Sequence, residues 1–563
     1  MRLVGEIGSR LTGWIVVAIV TGTVIAGLIV GAQRADNRPA TLVITNGRVY
    51  TPDAPDATAQ ALAIRGNQII RVGTDKQIAP LRGSRTQVID AHGGTILPGF
   101  EDAHVQAAGD LIDSGGVDLS DAFTQALVAQ RVRTFAADHP ESPWILGHGW
   151  SQAILGDGSS WRPRLDALVP DRPVYLLNAD GSAALVNSQA LDLADISRET
   201  ADPADGTIVR NPRTGLPTGL LLGTARLLVE AVRPATTSRA DAIKALAARA
   251  HAAGITSVQI LGVTPADLQA YAAARRAGRL TLRVSLALAA GPGFSEADAT
   301  KDDRLRSDLG ADPLLAADAV WLNAGSLPDG PAQAGFSPAE LTRVATLMDR
   351  HSWQVLIQAE SRGVTAAIDA LQHAIQANPL PARGRRNRID HRGPLDRSAL
   401  AAMADADLLD AQQLEHTRLA ARLFDWAALP RTGLAPDPWQ MLADEGGRLV
   451  LGSGWPGAPL NPLVGLAAAV DADDPPADTD WPTWQTMRLR AAIDGYTRNA
   501  AYSSFDEQHQ GTLEPGMLAD VVILSRDIFS GTPAQLDDTT VQTTIFDGTV
   551  VYTRPSSTNT TEN

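Results

Sequence analysis

Between residues 96 and 504, brief apolar runs alternate with alanine-rich stretches of helical period, and nothing else in the chain restricts its fold as tightly. The runs are Thr256–Leu261, Leu282–Leu288, Val355–Ile357 and Leu449–Leu451. The helical stretches are Asp241–Ala253, Pro265–Ala277, Pro338–Arg350 and Val364–Ile375. A short apolar run followed by a helical pattern reads as a βα unit, and a series of such units builds a parallel sheet or barrel covered by helices. The chain is therefore expected to be an α/β protein whose residues 96–504 form a (β/α)8 TIM-type barrel, with a subdomain inserted at about 110–230.

The ends have a different texture. Thr41–Thr45, Arg48–Tyr50, Ala61–Arg65 and Gln68–Val72 are short alternating runs separated by Asn46-Gly47 and Gly66-Asn67, pairs that favour hairpins. Matching β-rich runs return at Asp520–Leu524 and Val541–Tyr552. These pieces predict a small composite β-sandwich from residues 41–95 and 505–553, with the barrel inserted between its halves. Residues 554–563, rich in Ser, Thr and Asn, read as a disordered tail.

Residues 1–12 form a short N-terminal segment, and residues 33–40 read as a polar linker containing Pro39. Between them, residues 13–32 carry no charge, a length that suits a helix across a bilayer core. The expectation is an N-terminal transmembrane helix holding the main domain on the exported side, periplasmic or extracellular. A cleaved signal peptide ending at Val30-Gly31-Ala32 is the alternative, and it exports the chain equally. Gly27 and Gly31 have the spacing that packs two membrane helices together. A membrane-protein partner or a second copy of the chain is thus the expected kind of partner. Nucleic acid is excluded, since 63 acidic against 48 basic residues leave a net charge of −15.

The chain has no cysteine, so disulfides, thiolate metal sites and cysteine nucleophiles are ruled out. No His-Glu-x-x-His, Gly-x-Ser-x-Gly or phosphate-cradling Gly-Lys-Ser/Thr is present. What remains is the segment LPGFEDAHVQ, residues 97–106, at the entrance to the barrel. It places His104 at the C-terminal end of the first barrel strand, on the face where barrel enzymes work. Side chains two apart on a strand share a face. A second histidine at 106 would join His104 on one metal ion, yet position 106 is Gln106.

An ordered series of segments carries a family likeness over residues 41–553. It begins with TLVITNGRVYT and VIDAHGGTILPGFEDAH, and continues through GHGW at 147–150, RPRLDALVPDRPVYL, VNSQAL and DGTIVRNPRTGLPTG. AAGITSV, RIDH at 388–391, GSGWP, NPLVGL, YTRNAA and GTLEPGMLADVVIL complete it. In order and spacing these resemble amidohydrolase family 3 of the amidohydrolase superfamily. The resemblance implies a hydrolase of C–N bonds whose divalent metal sits at the barrel mouth. There the metal acidifies a bound water while an aspartate passes its proton to the leaving amine. The ligands would be a His-x-His on strand one, histidines on later strands and, in many members, a carboxylated lysine on strand four.

Position by position, the family pattern is mostly vacated here. His104 matches the first histidine and Gln106 stands at the second. Gln358 occupies the strand-five histidine position, while His391 in Arg388-Ile389-Asp390-His391 keeps one ligand. Gly454 stands where the catalytic aspartate belongs, Trp321 where the lysine is expected, and Ser182 where a substrate-side histidine is expected. His148, Trp150, Trp455 and Glu360 are further candidates for the pocket. The first expectation is thus a pseudoenzyme, with no cofactor, acting as a binding or accessory structural protein. The alternative is an active hydrolase with a relocated or single-metal site, in which His104 and His391 would hold zinc.

Overall fold

The computed structural model describes residues 38–555, except 53–58, 107–115, 121, 123, 152–153, 156–160, 179–180, 182, 204–205, 234–237, 325–335, 360–361, 392–394, 396, 414–446, 471–488 and 531–533. The expected membrane helix at 13–32, the segment 1–12 and residues 556–563 of the expected tail lie outside these. Among the described residues, no helix is long and apolar enough to cross a membrane.

Eight parallel strands form the central sheet: β1 (Phe100–Val105), β2 (Ile255–Val263), β3 (Arg283–Ala289), β4 (Leu315–Asn323), β5 (Gln354–Ala359), β6 (Arg388–His391), β7 (Leu409–Gln412) and β8 (Leu449–Leu451). They neighbour one another in chain order from β1 to β8. Helices Pro265–Arg276, Glu296–Leu309, Pro338–Arg350 and Arg362–Ala377 fill the connections from β2 to β6. Their starts are written in the sequence. Thr264, Ser295 and Ser337 accept hydrogen bonds from the third residue of the following helix, and Pro265 and Pro338 occupy first-turn positions where no N–H is needed. The outward residues of the strands, Val258, Ile260, Leu286, Val320, Ile357 and Ile389 among them, pack with these helices in one large core.

The barrel is nearly closed, and the segment after β8 makes the seam. Trp455 pairs with Val105 in an isolated parallel bridge. The Gly454 N–H donates to the His104 carbonyl at 2.8 Å, and the Gln106 N–H donates to the Trp455 carbonyl at 2.8 Å. Gly454 has φ +72°, a left-handed conformation that glycine adopts without the Cβ penalty.

A six-stranded sheet (Val117–Asp118, Ile145–Trp150, Val174–Asn178, Ala183–Val186, Gly206–Arg210 and Pro217–Gly223) lies between β1 and β2 in sequence. At the chain ends, Thr95–Pro98 pairs antiparallel with Val521–Leu524, so both termini share one five-stranded sheet. That sheet and the four-stranded sheet of Leu42–Thr45, Ala61–Arg65, Gln68–Gly73 and Gln87–Asp90 share a core of Leu42, Ile44, Leu62, Ile64, Ile96, Val521, Ile523 and Ile545. Arg283 at the foot of β3 reaches Asp520 at 2.7 Å and Asp547 at 3.1 Å, tying the barrel to the C-terminal strands.

The Gly66-Asn67 hairpin forms as expected, with Arg65 opposite Gln68. Asn46-Gly47 does not form one. Leu42–Thr45 pairs with Ala61–Arg65 and Gln87–Asp90, whereas Arg48–Val49 crosses to the other sheet and pairs with Thr95–Ile96. Asn46 does take the positive φ of a turn, at 54°, but the turn makes a corner between sheets. The apolar partners on both sheets decide that, and the dipeptide does not. The run Val541–Tyr552 likewise divides into Val541–Phe546 and Thr549–Thr553 around Asp547-Gly548.

Beneath the mouth, the barrel interior is polar and wired across. Arg388 on β6, fully buried, donates to Gln259 Oε1 on β2 at 2.6 Å and to the Ala103 carbonyl on β1 at 3.0 Å. Gln259 Nε2 donates to Glu101 Oε1 at 2.8 Å, and Gln510 Nε2 reaches Glu101 Oε2 at 3.3 Å. Burial pushes the Glu101 carboxyl up to about 7, against the opposing pull of the Gln259 bond. In the unfolded chain the same group titrates near 4.5. The fold therefore favours protonated Glu101, a contribution complete below the unfolded value and lost as pH rises through the folded one. Glu101→Gln should remove that dependence. In urea titrations from about pH 5 to about pH 8, the wild-type chain should lose on the order of 3 kcal/mol more stability than the variant. Equal pH slopes for the two proteins would show that Glu101 is ionised throughout.

Candidate functional site

The mouth is assembled from the C-terminal ends of the barrel strands. His104, on β1, is 2% exposed and places Nδ1 3.2 Å from Gln413 Nε2 and 3.6 Å from Asp390 Oδ1. Asp390, on β6, is gripped from below by Arg388, whose Nε lies 2.9 Å from Oδ1 and whose Nη2 donates to Oδ2 at 3.2 Å. Burial opposes the charge on Asp390, but the Arg388 guanidinium and His104 outweigh it and hold the carboxyl below its ordinary range.

Asp102 shares this layer. Its Oδ1 accepts the His104 N–H at 3.1 Å and the Ser453 N–H at 2.9 Å, so it joins β1 to the segment after β8. Burial raises its carboxyl to about 6 despite those donors. On the far side of β6, His391 Nε2 lies 2.7 Å from Asp410 Oδ1 on β7, and Gln412 Nε2 donates to Asp410 Oδ2 at 3.0 Å.

Gln106 and Gln358 come together. Gln106 Nε2 donates to Gln358 Oε1 at 3.3 Å across the mouth, from the end of β1 to the end of β5. Trp321 on β4 is half-buried and packs beside Leu261, Ala287, Ala319 and Leu356. His148 reaches over from the inserted sheet, its ring edge-on to Trp455 with centroids 5.7 Å apart. Arg249 sits 5.6 Å from the same indole while its Nη1 binds Asp118 Oδ2 at 2.8 Å. Burial opposes ionisation of Asp118, but His148, Ser120 and Arg249 keep its carboxyl below the usual range.

The other sequence candidates fall elsewhere. Trp150 is buried in the core of the inserted sheet, where its indole N–H donates to the Leu176 carbonyl at 2.7 Å. It fills a core and does not line the mouth. Ser182 and Glu360 lie outside the described residues. Sequence reasoning missed Gln412 and Gln413, the amides that finish β7, and the role of Arg388. The only signal for the first two is their position at the end of an apolar run in LLDAQQ.

A divalent metal of the kind the family implies needs several imidazole or carboxylate donors converging on one point. These residues do not fit it. At two expected imidazole positions stand amides that bond to each other, and Gly454 carries no side chain. His391 and Asp410 face one another, while Asp390 is committed to Arg388. Among the described residues, no group of three or more His, Asp or Glu side chains is arranged to hold a metal ion.

The comparisons with known proteins agree on the framework. A family profile described as the amidohydrolase family matches residues 87–552. Protein LONG AFTER FAR-RED 3 of Arabidopsis thaliana is 28% identical, over 86% of this chain and 87% of that protein. N-substituted formamide deformylase of Arthrobacter pascens is 25% identical, over 92% and 99% respectively. Among solved structures, an uncharacterized metal-dependent hydrolase from Pyrococcus horikoshii superposes with a TM-score of 0.63 at 20% identity, covering 88% of this chain and 99% of that one.

The two polar layers should respond differently to substitution. Gln358→Leu removes one long hydrogen bond at a partly hydrated mouth and should cost about 1 kcal/mol or less. Arg388→Leu strands Asp390 without its partner in the barrel interior and should cost about 3–5 kcal/mol. Urea midpoints of the two variants check this, and equal losses would contradict the division.

Proposed function

The chain belongs to the amidohydrolase family, and from that premise we propose that it keeps the family's barrel without the family's metal-dependent hydrolysis, serving as a binding or accessory structural protein. The observation that carries this reading is the Gln106–Gln358 hydrogen bond, which joins the two amides standing where the resemblance implies metal-binding imidazoles. An amide oxygen is a weak ligand for zinc or iron beside an imidazole nitrogen. Gly454 supports the same reading, since the aspartate implied there as proton carrier has no counterpart in the segment that closes the barrel.

The second reading is an active hydrolase of amide or related C–N bonds built on a relocated or single-metal site. One observation favours it: His148 extends from the inserted sheet to the Trp455 ring and so stands at the barrel mouth. Zinc would be its metal, with His104 and His391 as the retained family positions.

The two readings separate in an assay of N-formyl and N-acyl amines, using protein incubated with zinc, manganese or iron. The first expects a rate no higher than that of the Gln358→Leu variant. Turnover that follows metal occupancy and disappears with chelator would establish the second.

The uncharged residues 13–32 support a membrane-anchored chain with the barrel on the exported side. The full chain is then expected to stay in the membrane pellet after an alkaline carbonate wash, and to be exposed to protease added outside spheroplasts. Release by carbonate would contradict the anchor.

A further inference from the structure

The amide-lined mouth has a chemistry of its own, and the inference drawn from it rests on the metal-free reading above. A primary amide offers two N–H donors and an oxygen with two lone pairs. Gln106 and Gln358 spend one donor and one lone pair on each other, and no other hydrogen bond of either side chain occurs among the described residues. The pair therefore presents spare donors and spare acceptors side by side. Neither amide is sealed off, because Gln106 is half-buried and Gln358 keeps 8% exposure.

One layer below Gln358, on the strand next to β5, stands Trp321. Trp321 is in register with Leu356, two residues before Gln358 and on the same side of that strand. Gly262 backs the ring, since a Cβ added there would lie 3.4 Å from two of its carbons. The indole Nε1 is buried and has no acceptor among the described residues. Trp321 thus combines a half-buried aromatic ring with an unmatched donor.

Charge narrows the ligand further. Asp390 is paired with Arg388, Asp410 faces His391, and Asp102 holds the His104 and Ser453 N–H groups; all three carboxylates are fully buried, so none is exposed at the mouth to recruit an ion. A neutral molecule with donors and acceptors on adjacent atoms and an apolar C–H face matches these groups. That description fits a sugar ring, whose vicinal hydroxyls each donate and accept and whose axial C–H bonds pack on aromatic rings. We propose that the barrel mouth binds a neutral saccharide, with vicinal hydroxyls on the Gln106–Gln358 amides and a C–H face against Trp321.

The test uses the full chain in detergent, with methyl glucoside, methyl galactoside, cellobiose and maltose as probes in saturation-transfer NMR and tryptophan fluorescence titrations. At least one probe should bind, and Gln358→Leu should weaken it about tenfold. Trp321→Leu should weaken it similarly, while Trp321→Phe, which keeps a ring, should weaken it less. If Gln358→Leu does not fold, Gln106→Asn withdraws an amide by one methylene and should give the same direction of change. Binding of acetamide as tight as that of the best sugar would overturn the proposal, as would sugar binding that none of these substitutions alters. Elemental analysis of the same sample separates the two layers of the argument. Near-stoichiometric metal overturns the metal-free reading, whereas a metal-free sample that binds none of the four sugars overturns this inference alone.

Discussion

Arg388 crosses the barrel. Rising from β6, its guanidinium meets Asp390 on its own strand, Gln259 on β2 and the β1 backbone at Ala103, all out of contact with water. A buried cation is tolerated only when its donors are matched, and removing one member of such a set leaves an uncompensated charge. Gln259 passes the chain of bonds on to Glu101 and the Ala500 carbonyl, while Asp390 stands within reach of His104. The polar floor therefore holds the strand ends that carry the mouth. It also bears on the charge of the mouth, because Asp390, which faces the His104 ring, is paired with Arg388 from below.

This arrangement differs in kind from one organised by a dication. A metal centre gathers anionic and imidazole ligands around a single positive charge and holds them against their mutual repulsion. Here the positive charge belongs to the protein and sits beneath the layer where a metal would lie. Above it, the groups pair among themselves: amide with amide at Gln106 and Gln358, imidazole with carboxylate at His391 and Asp410. The closure of the barrel follows the same pattern. Gly454 contributes only backbone, in a left-handed conformation, and its N–H joins β1 at the His104 carbonyl.

Much of the framework was legible in the residues. The apolar runs at 256–261, 355–357 and 449–451 lie within barrel strands and 282–288 begins one residue before its own, since runs this short with helices between them have few other ways to be buried. The family likeness set Gln106 and Gln358 at strand ends of one barrel, while the hydrogen bond between them is visible only in the structure. What stayed hidden depended on distant partners. Asn46-Gly47 has the chemistry of a hairpin, yet strands some forty residues away decide which sheet each side joins. Trp150 and His148 sit two apart on one strand. One is claimed by the inserted sheet's core and the other by Trp455, because Gly149 between them has φ +91° and the pairing register shifts there, which breaks the alternation of faces. Arg388 looked like the lead-in to a ligand motif, and only the closed barrel shows it spanning to β2.

The claim that holds this account together is that the mouth holds no metal ion, although Asp102 Oδ2 and Asp390 Oδ1 are buried there without a hydrogen-bond donor among the described residues. Elemental mass spectrometry of the full chain, purified without chelator and then incubated with zinc, manganese and iron, addresses it directly. The account predicts metal far below one atom per chain under every condition. Zinc, manganese or iron near one atom per chain, retained through gel filtration, would contradict it and would require donors other than the self-paired set around His104 and His391.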